Sequence, residues 1–329
     1  MRIVFFVFLT LSSLCGEVNF ASDQVIRSRA QESQKMLEVC MGHAKFYEIK
    51  EGQSYRDITR QLLESENTPE RIKANIREQK RSFIAFHYPS DGNMVKGYVS
   101  FTPDYENAPL LVFLRGGNRI LGLMNPATDF SCVKNYTVIG TAYRGGISEG
   151  EDEFGGDDVN DVKNLVTYIP QLESKLKLRL SPTKRFILGG SRGGMQMLLA
   201  LQRFPFLQSY FDKAVSLSGP MNLHITIATR DAMRQMFIND FGLVLNGNQE
   251  DWLDFRSPVK HCTALSAMLP LLIIQGKEDH RTHLDHGKEM FAELKRLGKN
   301  VTYWEIEDGT HCLNNYKDRM EMITNWLEK

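Results

Sequence analysis

The chain has 329 residues and is 42% hydrophobic, enough for one large core with a small appendage. Its 40 basic and 40 acidic side chains cancel. With no run of lysine and arginine, that balance argues against nucleic acid or an anionic membrane surface as a partner.

Met1-Arg2 precedes an apolar run from Ile3 to Leu14, which has signal-peptide length and is too short to span a bilayer. Residues 1–21 are therefore expected to be a signal peptide, cut near Gly16 or after Ala21. The mature protein is expected to be exported, secreted or periplasmic, with no membrane anchor. Cys15 does not read as a lipidation site, because the large Leu14 precedes it. Removing the leader leaves Cys40, Cys132, Cys262 and Cys312. These allow two disulfides in three connectivities, or buried free thiols.

Residues 22–80 read as a polar helical appendage. One apolar stripe holds Met36, Leu37, Val39 and Cys40, and a second holds Tyr55, Ile58, Leu62 and Leu63. Asn67-Thr68-Pro69-Glu70 has the composition of a helix start. From 81 to 329 the texture is that of a single domain of alternating strands and helices. Phe83 to Tyr88, a turn at Pro89–Asn93, and Met94 to Phe101 form a hairpin. Leu110–Leu114 and Tyr136–Ala142 are continuous apolar runs of the kind buried in a parallel sheet.

An acidic loop, Glu149 to Glu153, reads as a solvated turn, with a preference for a cationic substrate as the alternative. A helix follows from near Asp157-Asp158, with Val159, Val162, Val166 and Ile169 on one face. Phe186-Ile187-Leu188 runs into Gly189-Gly190-Ser191-Arg192-Gly193-Gly194, and a helix starts at Arg192. Lys213–Leu217 is the next strand. Residues 221–268 then interrupt the alternation with helical, Met-rich sequence placed to lie over the mouth of a site. Leu269–Gln275, a helix closed by Gly298, Val301–Ile306 and a last amphipathic helix complete the chain. A hairpin followed by alternating strands and helices predicts an α/β protein with a doubly wound, mostly parallel sheet.

In such sheets ligands bind beyond the carboxyl ends of the strands. Ser191 lies at one such end within G-x-S-x-G, the strained strand-to-helix turn that presents a nucleophile. Asp279 and His311 lie just past two later strands, completing the Ser, Asp, His order of an α/β-hydrolase fold. In that reading His311 takes the Ser191 proton and Asp279 orients the imidazole. An oxyanion hole would be made by the Arg192 backbone N–H and by the Gly116-Gly117 turn, where missing side chains let the backbone approach. Arg115, and the Arg192 side chain, are candidates for binding a substrate carbonyl or carboxylate. His280, His283 and His286 fall three residues apart beside Asp279. The spacing raises a metal site, but Asp279 serves better as triad acid and no water-activating glutamate motif appears. No metal or other cofactor is expected.

At these residues the chain resembles the catalytic domain of the prolyl oligopeptidase family of serine peptidases. Gly189 to Gly194 is similar to that family's elbow. Tyr143-Arg144-Gly145 followed by Phe154-Gly155-Gly156-Asp157-Asp158 resembles a second signature. Ser257-Pro258 and then Pro270 to Asp279 resemble the approach to its acid. The resemblance covers about residues 82–329 and implies a serine peptidase with a peptide substrate. Residues 22–80 are too short for the propeller that usually accompanies this domain, and Arg115 stands where members often place an oxyanion tyrosine or histidine. Two alternatives stay open: a carboxylesterase of the same fold acting on small acyl esters, and a catalytically inactive binding module.

Overall fold

The computed structural model describes residues 34–180 and 184–329. The expected signal peptide lies outside the described residues. Nine strands form one sheet, β1 (Tyr55–Asp57), β2 (Ser82–Ser90), β3 (Asn93–Phe101), β4 (Leu110–Leu114), β5 (Thr137–Thr141), β6 (Arg185–Gly190), β7 (Lys213–Leu217), β8 (Leu271–Gly276) and β9 (Val301–Ile306). Their order is β1-β2-β3-β5-β4-β6-β7-β8-β9. The first three strands are antiparallel to their neighbours, and β5 through β9 are parallel.

The apolar runs are continuous because both faces of the sheet are covered. Successive side chains of a strand point to opposite faces. Leu110, Val112 and Leu114 of β4 therefore join one core, with Ile187 of β6 and Ile273 of β8. Leu111 and Phe113 join the other, with Phe186, Leu188, Leu272 and Ile274. The helix Asn160–Leu176 covers the first face through Val162, Leu165, Ile169 and Leu172. The C-terminal helix Arg319–Glu328 covers the second through Met320, Ile323 and Leu327.

The appendage differs from its sequence reading in one element. Residues 34–44 and Glu70–Glu78 are helices as expected. The stripe from Tyr55 to Leu63 is split: Tyr55–Asp57 pairs antiparallel with β2, and the helix begins only at Thr59. Three residues are too few to show a period, and their extended form is supplied by the free edge of β2. The segment shares a third apolar core with the sheet, in which Phe46, Tyr47, Ile58, Leu62 and Ile76 meet Phe83, Ala85 and Tyr98. Cys40, Cys132 and Cys262 are buried free thiols, and Cys312 is a half-buried one. Of the two readings left open for the cysteines, the structure holds the unpaired one. No helix among the described residues is long and apolar enough to cross a membrane.

The strand order turns round at β4, with β5 on one side and β6 on the other. That reversal opens a crevice at the carboxyl ends of β4 and β6, the place where open α/β sheets bind ligands.

Candidate active site

Ser191 directly follows β6 and precedes the helix Arg192–Arg203. Its backbone sits at φ 54°, ψ −128°, a conformation that costs a side-chain-bearing residue about 1–3 kcal/mol. The surroundings enforce it. Ser191 N–H donates to the Leu217 carbonyl of β7 at 2.8 Å, and its own carbonyl accepts from Gly194 N–H at 2.8 Å. A Cβ on Gly189 would run into the Gly193 carbonyl, and one on Gly193 into the Leu114 carbonyl. Only glycine lets helix and strands close this tightly.

Asp279 and His311 come from the loops after β8 and β9. The two loops are locked together: Lys277 N–H donates to Ile306 O at 2.9 Å and Glu278 N–H to Gly309 O at 3.0 Å. His311 Nδ1 consequently lies 2.9 Å from Asp279 Oδ2 and 3.0 Å from Oδ1. A carboxylate only accepts, so Nδ1 carries the hydrogen, and in the neutral ring Nε2 is left as the acceptor. Asp279 also accepts from Arg281 N–H and Thr282 N–H, each at 2.9 Å. Its side chain has no exposed surface. Burial raises its carboxyl, but His311 and those N–H groups hold it below the ordinary carboxylate value. Burial likewise pulls the His311 imidazole down. Asp279 and the Cys312 thiol outweigh this and push it up to about 9.

The His311 turn is tied to the elbow through β7. Cys312 N–H donates to Ser218 Oγ at 3.0 Å, and Ser218 follows the Leu217 carbonyl that holds Ser191. A Cβ built on Gly190 would stand 3.7 Å from Cys312 Sγ. On the opposite side, the loop after β4 meets Ser191. A Cβ on Gly116 would lie 2.9 Å from Ser191 Cβ and 3.4 Å from its Oγ. The three sequence-predicted residues thus share the carboxyl edge of the sheet with the Gly116-Gly117 turn.

Two predicted side chains do something else. Arg115 is 3% exposed. Its guanidinium donates to the carbonyls of Ala142, Gly116 and Arg119 at 2.6, 3.0 and 2.8 Å, and lies over the Tyr143 ring. It is a brace under its own loop and presents nothing to a substrate. Arg192 is 2% exposed, with its guanidinium between Asp152 and Asp158 at 2.6 and 2.5 Å. Asp152 lies in the acidic stretch read as a solvated turn, yet it is 5% exposed. Its role escaped sequence reasoning, as did that of Ser218.

His280, His283 and His286 do not form a group with metal-ligand reach among the described residues. His286 is buried, accepts from Asn222 N–H at 3.2 Å, and is pushed down to about 3 by that burial. Among the described residues the group with metal-ligand reach is His224, Glu250 and Asp254, and there Lys260 Nζ already stands 3.1 Å from Asp254. The insertion forms the helices Leu223–Thr229, Asp231–Asp240 and Gln249–Phe255 and the 3₁₀ segment Pro258–Ala264. Arg230 donates to Arg281 O at 2.9 Å, beside Asp279. Asn118 donates to Met236 Sδ at 3.4 Å, beside the Gly116-Gly117 turn. The insertion therefore spans from one wall of the site to the other.

Residues 130–329 match the family model described as the prolyl oligopeptidase family. The chain belongs to that family. Members are hydrolases, and this chain is a serine hydrolase of the family. It is 26% identical over 246 residues to the uncharacterized peptidase YtmA of Bacillus subtilis, covering 73% of this chain and 91% of that one. Acylaminoacyl peptidase of Pyrococcus horikoshii superposes with a TM-score of 0.60 at 22% identity, covering 74% of this chain but 41% of that larger one. Esterase Pf2001 of Pyrococcus furiosus superposes with a TM-score of 0.56 at 15% identity over 77% of this chain and 93% of the esterase. The structural likenesses show the α/β-hydrolase fold that the family shares.

Proposed function

We propose that the protein is a serine peptidase acting through an acyl-Ser191 intermediate, with His311 as general base and acid and Asp279 as its orienting carboxylate. The observation that carries this reading is the Asp279–His311 pair, fixed through Nδ1 at the same sheet edge as the strained Ser191 turn. Ser191 Oγ attacks the scissile carbonyl carbon while its proton passes to His311 Nε2. The carbonyl oxygen becomes an oxyanion, met by the N–H of Arg192 and that of Gly117. Arg192 opens its helix, so its N–H has no carbonyl partner within the helix, and the positive end of the dipole lies there. His311 then returns the proton to the leaving amine and the C–N bond breaks. Water, deprotonated by His311, releases the acyl group and restores Ser191.

The second reading, an esterase on small acyl groups, is favoured by the likeness of fold to the Pyrococcus furiosus esterase over 93% of that esterase's length. The Asp279–His311 pair argues against an inactive binding module. A fluorophosphonate probe is expected to label the wild type and not Ser191→Ala; equal labelling of both sinks the triad. Parallel assays on acetyl-alanine p-nitroanilide and p-nitrophenyl acetate separate peptidase from esterase. Export is proposed from the expected leader at 1–21, and amino-terminal sequencing of the protein from its native host tests it.

A further inference from the structure

The buried cation at Arg192 has a geometry that an elbow residue does not need for its backbone role. All four terminal N–H groups of its guanidinium can be assigned. Nη1 donates to Gly117 O at 3.0 Å and to Asp152 Oδ2 at 2.7 Å, while Nη2 donates to Asp152 Oδ1 at 2.6 Å and to Asp158 Oδ2 at 2.5 Å. The group is stacked over Phe154, 4.6 Å from the ring centroid. Its two counter-ions are fixed in turn. Asp152 accepts from Arg119 N–H at 2.6 Å and Phe154 N–H at 2.9 Å, and Asp158 from Gly155 N–H at 3.0 Å and from Gln196.

The ends of this network are the two walls of the proposed oxyanion hole. One wall is the elbow, where Arg192 itself supplies an N–H. The other is the loop after β4, which Arg192 grips by the Gly117 carbonyl and Asp152 grips by the Arg119 N–H. Arg115 holds the Gly116 carbonyl of the same loop at 3.0 Å. In a trans peptide the C=O and N–H point in opposite directions. Holding the Gly116 carbonyl against Arg115 therefore turns the Gly117 N–H away from that guanidinium, and holding the Gly117 carbonyl fixes the other side of the same residue.

We propose that Arg192 is a positioning residue for the oxyanion hole: its side chain, clamped by Asp152 and Asp158, sets the distance and angle between its own N–H and that of Gly117. This rests on the triad reading above. A single residue thus contributes a donor on one side and the strut that holds the donor on the other. Lysine cannot replace it, because an ammonium lacks the planar fork that engages a carboxylate and a carbonyl together.

The test uses Arg192→Lys, Arg192→Met and Asp152→Asn in the full chain, with p-nitrophenyl acetate as substrate and circular dichroism to establish folding. Loss of one oxyanion donor lowers kcat by about 10²–10³. Misalignment is expected to cost about a hundredfold in kcat for Arg192→Met, less for Arg192→Lys, and about tenfold for the near-isosteric Asp152→Asn. KM is expected to stay within threefold and the pH at which activity rises to stay put, since His311 is untouched. The rate of fluorophosphonate labelling is expected to fall in step with kcat. A purely structural clamp lowers the melting temperature and leaves kcat of the folded fraction alone. Folded variants that keep kcat within threefold of wild type overturn the proposal, and if an Arg192 variant does not fold, Asp152→Asn decides. Labelling of Ser191→Ala as fast as wild type strikes at the triad reading instead, which keeps the two failures apart.

Discussion

Replacing Asp279 by asparagine tests the site at its most determined point. The carboxylate accepts from His311 Nδ1, Arg281 N–H and Thr282 N–H. In the variant the asparagine oxygen still serves the two backbone donors, which leaves its NH2 group against Nδ1. A donor there selects the tautomer with hydrogen on Nε2, and that nitrogen can no longer take the Ser191 proton. In triads of this design the wrong tautomer costs about 10⁴ in kcat. The pH profile moves too. His311 rises from 6.5 to about 9, which is about 3 kcal/mol in favour of the imidazolium. Burial pulls the other way, and Asp279, together with Cys312, overcomes it. The active base is neutral, so wild-type kcat/KM is expected to climb with pH through a midpoint near 9. In Asp279→Asn the midpoint of the residual activity is expected well below that. Stability follows the same linkage. The His311 contribution is complete below 6.5 and lost as pH rises through about 9, while that of Asp279 is lost as pH falls below the carboxylate range. Steady-state kinetics from pH 5 to 10 on both proteins are the assay. A wild-type midpoint at or below 6.5, or a variant keeping a tenth of kcat, refutes the reasoning.

Two other substitutions probe the neighbourhood. In Gly116→Ala the new methyl would stand 2.9 Å from Ser191 Cβ and 3.2 Å from the Gly190 carbonyl, so loop or nucleophile must yield by several tenths of an ångström. kcat is expected to drop at least tenfold with little change in melting temperature, and an unaltered kcat shows that the loop does not abut the nucleophile. Arg144→Met leaves Asp161, whose side chain has no exposed surface, without the cation now 2.8 Å away. A loss of about 3–5 kcal/mol in urea unfolding is expected, partly recovered by adding Asp161→Asn; a loss under 1 kcal/mol contradicts the buried pairing.

Much of the fold is legible in the chain because its parallel strands are buried on both faces. Leu110–Leu114 and Leu271–Gly276 carry apolar residues at every position but the last two of β8, and nothing except a covered sheet tolerates that. The edge strand Tyr55–Asp57 was not legible. It alternates exposed and half-buried residues, is three residues long, and owes its shape to β2 rather than to its own pattern. The placing of Ser191, Asp279 and His311 at one sheet edge was legible for a related reason. Each lies in the turn or loop that leaves a strand, and strand ends are where the topology brings distant segments together.

What escaped was direction. Arg192 follows Ser191 directly and Arg115 follows the neighbouring strand β4, and a cation at such a strand end reads as a substrate anchor when its partners are unknown. Position in a loop says nothing about which way a long side chain turns. For Arg115 the partners are the carbonyls of Ala142, Gly116 and Arg119, which leave no trace in a pattern of side chains. Arg192 differs, because its partners Asp152 and Asp158 are visible as letters. An acidic stretch alone cannot be told from a solvated turn. The helix that Arg192 opens, however, is buried along nearly its whole length, Gly193 to Gln202 included. A guanidinium carried into such a place needs acceptors for its N–H groups, and carboxylates supply acceptors while also balancing the charge. Arg115 is held by carbonyls alone, whereas Arg192 draws two acids from the stretch that precedes the Asn160–Leu176 helix.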